Sequence, residues 1–208
     1  MRRHALNVFA PTYLMGSNAM AHIIKTMEDN FGTGETIDFF IASRLSQYLS
    51  HPLAGRVHEE DVCRIHQHLI ETYGLSHAKT LSWQAGQKSA DYLLKNKISK
   101  PLRFILKRLP IRWSITLLLR EISNHAWTFV GSGVFTYQVF KSITFYIESN
   151  PICRGIRASE PICDYYAAIF EGLFKNLIHP SIVVKELGCE AQGDPSCSFS
   201  VKWSESSS

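Results

Sequence analysis

The chain is predicted to be an α+β protein in which N-terminal helices precede an antiparallel sheet crossed by a single helix. Three observations predict this. Apolar residues recur at helical spacing from Ala21 to about Ser123. From His125 onward the pattern changes to short aromatic and β-branched runs punctuated by Gly and Pro. One helical run, Tyr165 to Ile178, interrupts those short runs before a final pair. With 208 residues, 45% of them hydrophobic and 19% charged, the chain can bury a sizeable core.

In order along the chain, Ala21, Ile23, Ile24 and Met27 predict a first helix ending at Gly32. Ile37, Phe39, Phe40, Ile41, Leu45 and Leu49 predict a second, and His51-Pro52-Leu53-Ala54-Gly55 breaks the pattern. Asp61, Val62, Ile65, Leu69, Ile70 and Tyr73 mark a third, closed by Gly74. Ser76 is placed to cap a fourth through Trp83, Ala90 and Leu93-Leu94. Pro101 and Pro110 suit the first turns of two shorter basic helices. Trp127 to Val130, Gly131-Ser132-Gly133 and Val134 to Tyr137 are expected to form a hairpin, with Ile143 to Ile147 a third strand. Ile182 to Leu187 and Ser198 to Trp203 form a last hairpin around the Gly193-Asp194-Pro195-Ser196 turn. No internal repeat is visible.

The net charge of +4 hides an asymmetry. Between Tyr92 and Arg120 there are eight basic residues (Lys95, Lys97, Lys100, Arg103, Lys107, Arg108, Arg112, Arg120) and no acidic one. This is either a solvated face or a surface for carboxylates, anionic lipid or an acidic partner. Met1-Arg2-Arg3 precedes an apolar stretch that ends at Pro11, too short for a secretory signal core. The longest uncharged run, Ile122 to Phe140, has too many polar residues to span a bilayer. Five cysteines, an odd number, suit a reducing compartment and metal binding better than a disulfide framework. A cytoplasmic location is expected, with peripheral membrane contact left open and no sign of nucleic-acid binding.

Cys163, Glu186, Cys189 and Cys197 are candidate metal ligands. Three thiols and a carboxylate complete a closed tetrahedral zinc site, the arrangement of structural rather than catalytic zinc. Cys189 and Cys197 lie on the two arms of one hairpin, and Cys163 starts the crossing helix. Glu186 and Cys189, three apart, point to opposite faces of a regular strand unless Gly188 permits a bulge that turns both inward. The alternative is a Cys189–Cys197 disulfide, with Glu186 solvated and Cys163 merely buried.

Those residues carry a resemblance. Pro161-Ile162-Cys163, the helix through Phe170 and Glu171-Gly172, Glu186-Leu187-Gly188-Cys189 and Gly193 to Phe199 resemble the vinyl-4-reductase domain. That small-ligand-binding family is related in fold to TRAPP vesicle-tethering subunits and to sensor domains of aromatic-responsive activators. The resemblance implies that zinc is held by Cys163, Glu186, Cys189 and Cys197. A narrower resemblance covers most of the chain. Ala90 to Leu94, Ile98 to Pro101, Leu117 to Arg120 and His125 to Gly133 are similar to the bacteriochlorophyll-biosynthesis J family, also named bacteriochlorophyll 4-vinyl reductases. It implies a role on chlorophyllide-type or Mg-porphyrin tetrapyrroles. The expected organisation is a helical region over 1–75, a vinyl-4-reductase-type ligand- and zinc-binding domain over 76–203, and a disordered tail over 204–208.

Vinyl reduction needs a hydride source, yet no G-x-G-x-x-G follows a strand: Gly32-Thr33-Gly34 and Gly131-Ser132-Gly133 both lack the third glycine. Binding a tetrapyrrole and assisting its processing or delivery is therefore the first reading. 8-Vinyl reduction is the alternative, and a protein-interaction module using the basic segment is a further one. A porphyrin-type ring needs a flat apolar slot, which Trp127, Phe129, Phe135, Tyr137, Phe145 and Tyr146 are candidates to line. His125 is the candidate axial ligand to magnesium, and Arg103, Lys107, Arg112 and Arg120 are candidates to meet carboxylates of the pigment. The competing reading is a structural histidine, core aromatics and solvated cations. His66 and His68, two apart, are poor joint ligands. Expected partners are the pigment precursor and enzymes such as the magnesium chelatase, and a homodimer is left open.

Overall fold

The computed structural model describes residues 14–49 and 55–204. Met1 to Pro11, most of the His51–Gly55 break and the tail beyond Ser204 lie outside the described residues.

Helices α1 (Asn18–Ala42) and α2 (Glu59–Asn96) each span two of the expected helical runs. Gly32 (φ 83°) and Gly74 (φ 76°) mark the expected breaks, but each is a kink after which the helix resumes. Only a residue without Cβ takes such a φ freely. Phe31 and Tyr73, one residue before each kink, stack at 4.8 Å, so the two kinks abut. Helix α2 runs straight through the expected 75/76 division. The two short basic helices are present as α3 (Lys100–Leu106), capped by Ser99 with Pro101 in its first turn, and α4 (Ile111–Asn124), entered from Pro110. A three-residue antiparallel ladder, β1 (Leu14–Gly16) with β2 (Arg56–His58), is too short to leave a sequence pattern and was not expected.

One expectation is corrected. Trp127–Val130 is not the first arm of a hairpin but a helical turn, α5. The Val130 N–H donates to Ala126 O, and the hydroxyls of Thr128 and Tyr166 donate to the carbonyls of His125 and Phe129. Those partners outweigh the strand propensity of four β-branched and aromatic residues. The hairpin instead pairs β3 (Val134–Gln138) with β4 (Ile143–Glu148).

The main sheet has the order β3-β4-β6-β5, all antiparallel, where β5 is Val183–Gly188 and β6 is Cys197–Lys202. Helix α6 (Asp164–Leu177) crosses it. Phe145 of β4 stacks on Phe170 of α6 at 4.1 Å and on Phe199 of β6 at 4.8 Å. On its other side α6 meets α2 almost backbone to backbone. A Cβ at Gly86 would stand 2.3 Å from Tyr165 O, and one at Gly172 would stand 2.7 Å from Ala90 Cβ. Sheet, α6, α2 and α1 thus stack in layers around one core containing Phe40, Ile65, Tyr166, Phe174 and Phe199.

The start of α2 is pinned by a buried carboxylate. Glu59, 0% exposed, accepts bonds of 2.7 Å from Ser132 N, Ser132 Oγ and Arg154 Nη1. Gly131 (φ 56°) has no room for a side chain, since a Cβ would lie 2.2 Å from Glu59 Oε2. Gly131-Ser132-Gly133 is therefore a cradle for a carboxylate. Among the described residues, no helix is long and apolar enough to cross a membrane.

Candidate functional site

The sheet's far end gathers cysteines from three places. Cys163 is the N-cap of α6, Cys197 opens β6, and Cys189 follows a bulge in β5 between Glu186 and Gly188. Gly188 is required there because a Cβ would sit 2.8 Å from Asp194 Oδ2, which accepts from Cys189 N. Their sulfurs form a near-equilateral triangle: Cys163–Cys189 3.8 Å, Cys163–Cys197 3.5 Å and Cys189–Cys197 3.7 Å. Cys153 joins them, 3.5 Å from Cys197, and all four ligand atoms lie within 4.8 Å of one another. Zinc–sulfur bonds of about 2.3 Å in a tetrahedron imply sulfur–sulfur edges of about 3.8 Å, so the spacing suits a four-thiolate ion. All five cysteines are free thiols, so the Cys189–Cys197 disulfide is not formed.

Glu186 is beside this group rather than among the four sulfurs. Its Oε2 accepts from Cys163 N at 2.8 Å, and its buried Oε1 has no hydrogen-bond partner among the described residues. Burial, with Cys189 and Cys197 alongside, pushes the carboxyl up to about 10. Burial likewise pushes the Cys163 thiol well up, while the thiols of Cys153, Cys163 and Cys197 pull Cys189 down. A packed set of acids that resist ionising together is what a divalent cation relieves. Asn150, fully buried, donates through Nδ2 to Cys163 Sγ and Cys197 Sγ at 3.2 Å each, an arrangement that favours thiolate. Glu190 holds Asn150 from below by accepting its backbone N–H at 2.8 Å. Neither Cys153 nor Asn150 is singled out by spacing, because both reach the site through the irregular segment after β4.

The expected ligand-binding set is divided. His125, at the C-terminus of α4, is exposed, its Nδ1 3.1 Å from Glu121 O. Trp127 is 46% exposed, with the Arg56 guanidinium 4.5 Å from its ring. Phe129 and Tyr137 are half-buried, and Phe129 packs edge-on against Phe135, Tyr166 and Phe170. Phe135 and Phe145 belong to the core, and Tyr146 is half-buried. Lys107 and Arg120 are exposed, whereas Arg103 donates to Ile98 O at 3.2 Å. Arg112 donates to the carbonyls of Val139 and Phe140.

A histidine set aside in the sequence has an unusual place. His66 is buried between Ser82 (3.4 Å) and Tyr165, and its Nε2 has no hydrogen-bond partner among the described residues. Burial lowers its pKa to about 4, so it is neutral. The adjoining cavity, lined by His66, Ile70, Ser82 and Ile152, is about 10 Å³, the size of a single water.

Residues 143–203, which contain the sheet end, α6 and the cysteines except Cys63, match the vinyl-4-reductase domain. The bacteriochlorophyll synthase 23 kDa chain of Cereibacter sphaeroides is 32% identical over 190 residues, 91% of this chain and 91% of that protein. In fold, the chain is similar to an Fe(II) unliganded H-NOX protein from K. algicida, with a TM-score of 0.63, 13% identity and coverage of 93% and 99% of the two chains. A second structure, from a study of heme distortion in the H-NOX family, gives a TM-score of 0.60 at 16% identity, covering 92% and 96%. The α+β class expected from the sequence is the class found. By its identity along nine tenths of its length, the chain belongs to the family of the bacteriochlorophyll synthase 23 kDa chains, the bacteriochlorophyll-biosynthesis J proteins.

Proposed function

We propose that this protein binds a magnesium tetrapyrrole precursor of bacteriochlorophyll, chlorophyllide or a Mg-porphyrin, and assists its processing or delivery, with tetrapyrrole-biosynthesis enzymes such as the magnesium chelatase as its partners. The observation that carries the reading is the identity of 32% with a bacteriochlorophyll synthase chain along 91% of both proteins. The fold shared with a family studied for heme distortion supports it, because heme is also a metallated tetrapyrrole. The pigment's place is the corner where α4 ends. There exposed His125 offers an imidazole to magnesium, and Trp127, Phe129 and Tyr137 offer apolar surface. Arg120, with Arg103 further along, supplies positive charge for the pigment's carboxylates.

The thiol cluster has a different task. Zinc there is held by Cys163, Cys189 and Cys197, with Cys153 in the fourth position. Glu186, the fourth ligand expected from the sequence, instead steadies Cys163 through its backbone N–H. When bound, the ion supplies a structural cross-link between α6, the last hairpin and the segment after β4.

Titrating Mg-protoporphyrin into the purified protein is expected to shift and broaden the pigment's main absorption band at micromolar protein. The His125→Ala protein should bind about tenfold more weakly, the effect of losing one well-placed ligand. An unchanged band across the titration would reject pigment binding. A shift identical in both proteins would reject His125 as the ligand.

A further inference from the structure

Within the acid-free segment from Tyr92 to Arg120, the turn that joins α3 to α4 lies apart from both the pigment corner and the thiol cluster. Helices α3 and α4 turn their apolar sides inward through Leu106, Ile115, Leu118 and Leu119. Ser114 Oγ fastens the turn between them by donating to the carbonyls of Leu106 and Leu109. Arg112 then clips the β3–β4 turn to the start of α4 through the carbonyls of Val139 and Phe140. Three large rings are exposed on the chain segments that these bonds hold together: Phe104 (56% exposed), Trp113 (69%) and Phe140 (85%).

Cations surround these rings. Lys107, Arg108 and Lys141 are exposed, and the Arg108 guanidinium lies 3.9 Å over the ring of Phe104. Among the described residues, none of these three cations is paired with a carboxylate, whereas Lys25, Lys79, Lys88 and Lys175 all are. Large apolar groups grouped in water are costly to keep and mark an interaction surface. Phe104 stands on α3, Trp113 on the first turn of α4 and Phe140 in the β3–β4 turn, each exposed enough to enter a soft apolar phase. Rings flanked by unpaired Lys and Arg are the side-chain pattern of an interfacial membrane contact.

We propose that this corner docks the protein on an anionic lipid bilayer, with Phe104, Trp113 and Phe140 in the interface and Lys107, Arg108 and Lys141 on the lipid phosphates. The contact is peripheral. It stands independently of pigment binding, since Trp113 lies roughly 18 Å along α4 from His125 at 1.5 Å per residue. Each cation near an anionic surface strengthens binding about fivefold.

Co-sedimentation of the full chain with vesicles provides the test, using phosphatidylcholine alone and phosphatidylcholine mixed equally with phosphatidylglycerol. The protein should pellet with the mixed vesicles and remain in solution with phosphatidylcholine alone. The Trp113→Ser/Phe140→Ser double variant should bind at least about tenfold more weakly. Lys107→Glu/Arg108→Glu should bind weakly at low salt as well as high. Thermal melting of each variant shows that it is folded. No binding to mixed vesicles, or equal binding by the folded double variant, would overturn the proposal. Retention on polyglutamate without vesicle binding would assign the corner to an acidic protein. Self-association in light scattering that the double variant abolishes would assign it to a second copy. Either result would also overturn the membrane reading.

Discussion

The two ends of this molecule treat unusual chemistry in opposite ways. At the sheet end, four thiols and a carboxyl are removed from water and held by backbone N–H groups and by Asn150. At the α3–α4 corner, large rings and unpaired cations are left in water. A buried polar group persists only if every neighbour is fixed, so the first arrangement requires rigidity and closure. An exposed ring beside a cation requires only that something cover it later. The contrast separates what holds the fold together from what the fold presents.

The comparison can be broken most directly at the thiols. Cys189→Ser is expected to lose bound zinc and to destabilise the protein by roughly 3–5 kcal/mol, since loss of a metal is among the few large single-site effects. Metal analysis and chemical denaturation of the same preparation check both. Cys153→Ser should lose zinc as well, whereas Glu186→Gln should retain it at a lower melting temperature. The reverse result would restore the carboxylate as the fourth ligand.

A smaller effect is expected at Glu59. Removing one partner of a buried ion pair strands the other, although Arg154 is partly exposed, so Glu59→Gln should cost about 2–4 kcal/mol. Burial alone would raise this carboxyl, but the Ser132 N–H and Arg154 outweigh it and hold the group below its usual value. A depressed carboxylate contributes stability that is complete above its unfolded pKa of about 4.3 and is lost as pH falls through the folded value. The natural protein should therefore lose stability in acid faster than Glu59→Gln. Denaturant midpoints measured from pH 7 down to pH 3 would show parallel curves if the carboxylate had no such role.

The smallest change belongs to the exposed corner. Trp113→Ser should move stability by no more than about 0.5 kcal/mol, because the ring contributes little to the core. A larger loss by thermal melting would mean that Trp113 is a packing residue and would erase the difference between the two ends.

Much of this is legible in the sequence where the signal is local. Gly32 and Gly74 mark the kinks, Pro101 and Pro110 the starts of α3 and α4, and Gly188 the bulge that turns Glu186 and Cys189 inward. Cys163, Cys189 and Cys197 converge as their spacing requires. Trp127–Val130 reads wrongly as a strand because four residues of strand-like composition cannot disclose that Tyr166, far along the chain, will donate to the Phe129 carbonyl. The expected aromatic slot loses Phe135 and Phe145 to the core for a related reason. Phe135 and Phe145 alternate correctly for a sheet, but alternation does not say what covers the sheet, and α6 covers it with Phe170.

The sequence by itself determined the class of fold, the family, the acid-free basic stretch and three of the clustered thiols. Each rests on neighbours within a few residues or on a spacing that one turn or helix imposes. Tertiary structure alone decided that Cys153 and Asn150 join the thiols, that Gly131-Ser132-Gly133 cradles Glu59, and that Arg112 holds the β3–β4 turn at Phe140. Those pairings join segments from ten to a little over seventy residues apart. They depend on layer packing, which no local period encodes.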